Sequence, residues 1–313
     1  MTDVVVVGGG PAGAATAHAL ASRGLDVLVV DRSDFPRDKT CGDALTPRAV
    51  RVVERMGLLP ELMSVGEPIH GYQVVAPNGR PTRGAIPATS NTPDLALVVR
   101  RHELDARLLA RAQRSGARFE PDLHVTAVEA TATVVRVAGE RTGRAVSHTA
   151  TMAVVATGAS MGLLRTSGIL KAVPRTMLAA RSYVAGVGPA IVRDLLQLRF
   201  DAAPLPGYGW VFPVAPDAAN VGIGFFPTRR SAPTTRVAYE HFIGSPFPIP
   251  IRPPTRHPSS VTGDLGICDL RQRIGRRPAE TSRDIDEDAA TCPPRRSTRR
   301  GGADRSSSAA ARR

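Results

Sequence analysis

Three glycines, Gly8, Gly10 and Gly13, stand in the run Gly8-Gly9-Gly10-Pro11-Ala12-Gly13 with the spacing Gly-x-Gly-x-x-Gly. That spacing suits a phosphate-bearing dinucleotide. Gly8 permits a tight turn, Gly10 lets a pyrophosphate approach the backbone, and Gly13 lets a helix lie close to a strand. Alone the spacing is weak; its context gives it force. It follows the apolar run Val4-Val5-Val6-Val7 and opens an alanine-rich stretch. Eighteen residues after Gly13 comes Asp31, whose carboxylate could accept hydrogen bonds from the ribose of an adenosine half. A carboxylate there disfavours a 2′-phosphate and so argues against NADP at this first site. FAD and NAD stay open on the motif alone, and a glycine-rich connection without a ligand is the bland alternative.

A second group with chemical reach is Tyr208, Trp210 and Phe212, which alternate with period two and so share one face of a strand. On physical grounds that pattern is a packed face before it is a ligand box, although Trp210 is the sequence's single tryptophan. Cys41, Cys268 and Cys292 have no paired or C-x-x-C spacing, so neither a zinc site nor a disulfide framework is expected. No metal is assigned.

The elements that must position these groups follow from periodicity. Val4–Val7 is a continuous apolar run of the kind buried on both faces in a parallel sheet. Pro11 suits a first helical position, Ala12–Ser22 is helical, Gly24 stops it, and Leu25–Val30 is the second strand. Pro47–Met56 has helical spacing after Thr46, an expected N-cap. Tyr72–Ala76 with Asn78-Gly79 reads as a hairpin, Leu95–Arg100 as a strand and His102–Ser115 as an amphipathic helix. His124–Ala130, Thr133–Val137 and Thr149–Ala156 read as strands, as do Leu196–Phe200, Gly209–Val214 and Ala219–Phe225. The expected class is α/β with an α+β addition: a Rossmann-like βαβ domain over 1–66 and 100–170, interleaved with a mainly antiparallel β domain over 67–99 and 171–243. From 244 to 313 arginine, proline and serine dominate without either period, and a disordered tail is expected.

Composition bounds the partners. The net charge of +13 would suggest nucleic acid, yet all but Lys39 and Lys171 of the 41 basic residues are arginine, as a GC-rich coding sequence produces irrespective of function. Aromatic residues, 4% of the chain, are too sparse for base stacking, so nucleic acid is not an expected partner. The first strand is too short for a signal segment, and no apolar stretch reaches the roughly 18 residues of a membrane span, so a cytoplasmic protein is expected.

Asp34-Phe35-Pro36-Arg37-Asp38-Lys39-Thr40-Cys41-Gly42-Asp43, followed by Leu45-Thr46-Pro47-Arg48-Ala49-Val50, resembles the loop after the second strand in the geranylgeranyl reductase family of flavoproteins. Arg101-His102-Glu103-Leu104-Asp105 is similar to that family's Arg-x-x-Leu-Asp helix start, and Pro206-Gly207-Tyr208-Gly209-Trp210-Val211-Phe212-Pro213 to its Tyr-x-Trp-x-Phe-Pro strand. Within the family, the pattern is nearest to actinobacterial reductases of the menaquinone tail. The resemblance spans roughly residues 1–242. It implies a p-hydroxybenzoate-hydroxylase-like fold holding FAD, with NAD(P)H or another reductant as electron donor, and reduction of a C=C bond in an isoprenoid lipid. It further implies that Gly8, Gly10, Pro11, Ala12, Gly13, Asp31 and Arg32 serve the ADP half, that Arg37 and Arg101 lie near phosphate or ribityl groups, and that Val125 offers backbone contacts to adenine. Cys41, Gly42 and Asp43 would pass the isoalloxazine, Thr157 and Gly158 would form a second flavin motif, and Tyr208, Trp210 and Phe212 would face the isoprenoid chain. A lipid substrate implies contact with the inner membrane face, although no amphipathic anchor is evident.

Two departures from the family stand out. The strand end reads Ala156-Thr157-Gly158-Ala159-Ser160 where the family carries Ala-Asp-Gly. The family's later Gly-Asp-Ala-type motif is missing, Gly263-Asp264 being a lone dipeptide, and the change near Gly244 reads as a truncated or frame-shifted product. A catalytically incompetent fragment is therefore one alternative, and a FAD-dependent aromatic monooxygenase or halogenase on the same fold is another.

Overall fold

Four consecutive valines have no polar face to offer water, so the strand that carries them must be covered on both sides. In the computed structural model, which describes residues 1–172, 174–187, 191–228, 233–245 and 266–268, β1 (Thr2–Val7) lies near the middle of a six-stranded sheet. Val4 and Val6 face one core and Val5 and Val7 the other. β1 pairs in parallel with β2 (Val27–Val30), and α1 (Pro11–Ala21) makes the crossover. The second strand starts at Val27 because Leu25, placed in it by pattern, is exposed in the preceding turn.

The chain then leaves this sheet through β3 (Ala44–Leu45), α2 (Pro47–Arg55), α3 (Leu59–Met63) and β4 (Glu67–Ile69). Thr46 occupies the N-cap of α2 without a side-chain capping bond. The Asn78-Gly79 hairpin joins β5 (Gly71–Val75) to β6 (Pro81–Ala85), and β7 (Ala96–Val98) completes a small antiparallel sheet in the order β3-β7-β4. Helix α4 (Arg101–Arg114) returns to the first sheet, packs on α1 and feeds β8 (Arg118–Glu120). Strands β9 (His124–Ala130), β10 (Val135–Arg141) and β11 (Arg144–Val155) follow, giving the order β8-β2-β1-β11-β10-β9. The four strands from β8 to β11 are parallel and the last two antiparallel.

After α5 (Gly162–Thr166) the chain builds the second large sheet from β12 (Leu178–Ala185), β13 (Leu195–Arg199), β14 (Gly207–Ala215) and β15 (Ala218–Phe225). Helix α6 (Thr235–Gly244) covers one face with Ala238, Tyr239 and Phe242 packed on Val221, Ile223 and Phe225. The strand order is β16-β12-β15-β14-β13-β5-β6, antiparallel except for β13 against β5. The class is therefore α/β with a mainly antiparallel addition. The expected unstructured stretch from 244 lies outside the described residues except for 244–245, which close α6, and β16 (Gly266–Cys268), a short edge strand that corrects it locally. Among the described residues no helix is long and apolar enough to cross a membrane.

Candidate functional site

Parallel strands that stop together leave a crevice at their carboxyl ends, where ligands of such sheets collect. Here β1, β2 and β11 end beside the glycine turn: Gly8 N–H donates to the Val30 carbonyl at 2.8 Å and Ala156 N–H to that of Val7 at 2.8 Å. Gly8 has φ +108°, and a Cβ there would lie 2.5 Å from the Ala156 oxygen. A Cβ on Gly13 would lie 1.8 Å from the Gly8 oxygen, so this glycine is what lets α1 sit on the turn. At Gly10 a Cβ would meet only the Arg37 guanidinium, at 3.6 Å. The turn is closed on two sides and open on the third, with Pro11 and Ala12 in the first turn of the helix whose amides and dipole favour anions.

Asp31 sits at the rim. Its Oδ2 accepts the Gly9 amide at 2.7 Å and its Oδ1 the Ser33 amide at 3.0 Å, while the neighbouring Arg32 is exposed. The Leu123 amide donates to the Asp31 carbonyl at 2.9 Å, which brings the chain just before Val125, near the start of β9, to the same rim. On the other side Thr157 Oγ1 donates to the Ser160 carbonyl at 2.7 Å, and Gly158 has φ +62° with Lys39 Nζ 3.2 Å from where its Cβ would be.

The 34–43 loop carries arginine into the crevice. Arg37 stacks on Phe35 at 4.7 Å, and its Nη2 lies 3.8 Å from Asp105 Oδ2. Arg101, the first residue of α4, pairs with the other oxygen of Asp105 at 2.6 Å. Asp105 is fully buried. Burial pushes its carboxyl above the usual range, against the opposing charges of Arg101 and Arg37. The Nε groups of Arg37 and Arg101 are buried with no hydrogen-bond partner among the described residues. Unspent guanidinium donors beside an open glycine turn fit a phosphate-bearing dinucleotide, because guanidinium recognises such oxygens in a plane.

Further along, the loop crosses to the second sheet. A Cβ on Gly42 would lie 3.0 Å from the Phe212 ring and 3.5 Å from Trp210 Nε1. Tyr208, Trp210 and Phe212 form the aligned row their spacing predicts, with ring centroids 6.1 and 6.3 Å apart. Trp210 and Phe212 are 6% and 7% exposed, packed with Ile69, Val98 and Leu196, so most of this face is interior and Tyr208 alone is half-buried. Cys41 is partly exposed. Asp43 is buried in left-handed backbone (φ +64°), a conformation that aspartate tolerates better than most residues. Its Oδ2 accepts from Tyr183 Oη at 2.8 Å and Asn220 Nδ2 at 2.7 Å. Burial pushes the Asp43 carboxyl up, although Asn220, Tyr183, Arg181 and Arg101 all favour its charged form. Burial and the Asp43 charge likewise push the Tyr183 hydroxyl well above its usual range.

Arg181, Tyr183 and Asn220 are absent from the motifs read along the chain. Arg181 is 1% exposed, stacks on Tyr183 at 4.4 Å and holds the loop through Asp38 at 2.5 Å and the Lys39 carbonyl at 3.1 Å. An arginine in β12 and an asparagine in the apolar β15 are the only local signals.

Residues 1–161 match the family described as FAD binding domain. The chain belongs to this FAD-binding family. It is 35% identical over 249 residues to the menaquinone reductase of Mycolicibacterium smegmatis, covering 73% of this chain and 56% of that protein. It is 27% identical over 248 residues to digeranylgeranylglycerophospholipid reductase 2 of Methanosphaera stadtmanae, covering 77% and 60%. The solved geranylgeranyl bacteriochlorophyll reductase-like protein of Thermoplasma acidophilum superposes with TM-score 0.63 at 24% identity, covering 77% of this chain and 60% of that one. Flavin-dependent halogenases share the fold as well. The chain thus spans little more than half the length of the curated relatives it matches. The flavoprotein fold and FAD as cofactor agree with the resemblance carried by the motifs.

Proposed function

We propose that the chain is a FAD-dependent oxidoreductase that reduces a C=C bond in an isoprenoid chain, of the kind carried by menaquinone or a geranylgeranyl lipid. The observation that carries this reading is the Gly42 contact. The loop that leaves the dinucleotide crevice lies directly on the Trp210 and Phe212 rings, so a nucleotide site and an apolar wall share one loop. The two relatives named above are a menaquinone reductase and a digeranylgeranylglycerophospholipid reductase, whose substrates differ in headgroup and share isoprenoid chemistry.

Gly8, Gly10, Gly13 and the first turn of α1 at Pro11 and Ala12 hold the pyrophosphate. Asp31, flanked by Arg32 and by the backbone at Val125, would accept from a ribose hydroxyl. Arg37 and Arg101, steadied by Asp105, meet phosphate or ribityl oxygens, and Cys41, Gly42, Asp43, Thr157 and Gly158 border the ring system. When bound, reduced FAD would supply a hydride equivalent to one alkene carbon while a proton reaches the other, and NAD(P)H or another reductant would reduce the flavin again. The protein orients the alkene along the Tyr208 side of the aromatic row and excludes water. Burying a long prenyl chain at about 25 cal/mol per Å² makes binding energy ample. A lipid of this kind brings the protein to the inner face of the membrane.

The test is direct. Purified protein is examined for flavin absorbance before and after reconstitution with FAD, then given a prenylquinone and a reductant, with saturation of the tail followed by mass spectrometry. A yellow protein that saturates one double bond is expected. Halogenation or oxygen-dependent hydroxylation of an aromatic compound instead, or no flavin uptake at all, overturns the reading.

A further inference from the structure

The indole N–H of Trp210 can only donate a hydrogen bond, and it lies 2.8 Å from Asn220 Oδ1 in the interior. That contact fixes which end of the Asn220 amide faces the indole. Its Nδ2 is left to point the other way, where it donates to the Cys41 carbonyl at 2.9 Å and to Asp43 Oδ2 at 2.7 Å. Tyr183 Oη donates to the same Asp43 oxygen at 2.8 Å. Asn220 is fully buried, Asp43 is 1% exposed, and Asp43 Oδ1 is buried with no hydrogen-bond partner among the described residues. Around the indole the fit is close: a Cβ on Gly222 would lie 2.2 Å from the Trp210 ring, so only a glycine there leaves room for it.

We propose that Asn220 and Asp43 are positioning residues that lock the plane of Trp210 to the Cys41–Asp43 loop, so that the loop beside the cofactor and the aromatic face beside the substrate keep one geometry. The functional half rests on the reading of these two surfaces given above. The coupling itself is a property of this chain's own hydrogen bonds. Asn220 acts through Trp210 and the loop, and Asp43 acts through Asn220. A general packing role would let any apolar side chain of similar size replace Asn220, at a cost in stability alone. The directional chain Trp210 to Asn220 to Asp43 demands more, since removing Asp43 must then be felt at an indole it does not touch.

Trp210 is the single tryptophan, so one indole N–H signal reports the whole chain of bonds. The experiment is a proton–nitrogen NMR spectrum of the full-length protein labelled at tryptophan, with thermal unfolding to confirm that each variant is folded. In wild type the indole proton is expected downfield and protected from exchange with solvent. Asn220→Leu, which offers the indole no acceptor, moves it upfield and removes the protection. Asp43→Leu shifts the signal as well, and Asp43→Asn, which still offers an acceptor to Asn220 and Tyr183, restores it. Added FAD moves the wild-type signal and leaves that of Asn220→Leu unmoved. A folded Asn220→Leu or Asp43→Leu protein with the wild-type indole signal overturns the proposal. Should Asn220→Leu fail to fold, the Asp43→Leu and Asp43→Asn pair decides it. Failure of wild type to take up FAD overturns the functional reading, and the cofactor-free spectra still decide the coupling.

Discussion

An added Cβ at Gly13 would stand 1.8 Å from the Gly8 carbonyl oxygen, while at Gly10 it would meet only the Arg37 guanidinium at 3.6 Å. Two alanine substitutions three residues apart should therefore separate folding from binding. Gly13→Ala must push α1 off the turn and is expected to lose the cooperative unfolding transition. Gly10→Ala is expected to keep the wild-type unfolding midpoint and to weaken FAD binding at least tenfold, read by titration of flavin fluorescence, because its methyl group fills the open side. Asp43 yields a pH prediction. A carboxyl raised in the folded state binds its proton more tightly there than in the unfolded chain, where the value is about 3.9. Its favourable contribution is thus complete below that unfolded value and is lost as pH rises through the folded one. Asp43→Asn keeps the neutral shape, so thermal melts should show near-equal stability at pH 4 and a growing advantage for the variant toward neutrality. An advantage that shrinks with rising pH would contradict the raised value.

Among the elements, α4 shows how a helix start becomes part of a site. Arg101 opens it, Asp105 follows one turn later on the same face, and Arg37 arrives from the 34–43 loop to share that buried carboxylate. Removing the carboxylate leaves two guanidiniums without their partner. Asp105→Ala should cost about 3–5 kcal/mol in urea unfolding, the usual penalty for breaking a buried ion pair from one side. A cost below about 1 kcal/mol would mean that solvent already neutralises both arginines. The elements legible in the sequence were those with a long period: the valine strand β1, helix α4 with Leu104, Leu108 and Leu109 on one face, and the aromatic alternation of β14. Strands β3 and β4, two and three residues long, carry no period to read. Helix α6 was hidden because its neighbours in sequence have no pattern, and only the burial of Ala238, Tyr239 and Phe242 against β15 defines it. Asn220 was illegible for a different reason. Its partners Cys41 and Asp43 are 179 and 177 residues away, and a single polar residue in an apolar strand does not say which loop it will meet.

For the whole molecule, the dinucleotide motif occupies one sheet and the aromatic row another, and the 34–43 loop leaves the first and packs against the second. Arg181 of β12 grips that loop at Asp38 and Lys39, and Asn220 of β15 grips it at Cys41 and Asp43, so the second sheet holds the latter half of the loop at two points. A ligand that engages only the glycine turn and Asp31 stabilises one side of this arrangement, and a ligand that runs along the loop stabilises both. FAD at 100 times its dissociation constant should add about 2.7 kcal/mol. With each kcal/mol worth roughly 2–4 °C in a folded region of this size, the unfolding midpoint should rise by about 5–10 °C. ADP, which carries only the half that meets Gly8 to Gly13, should at its own hundredfold excess raise only the transition of the first sheet, because binding to the turn leaves opening of the second sheet unopposed. The comparison is made by calorimetry on the full chain, where loss of the two sheets in separate transitions would be visible. Two transitions of which ADP raises one and FAD raises both are the expected result. ADP raising both transitions as FAD does would mean that the loop does not carry the cofactor from one sheet to the other.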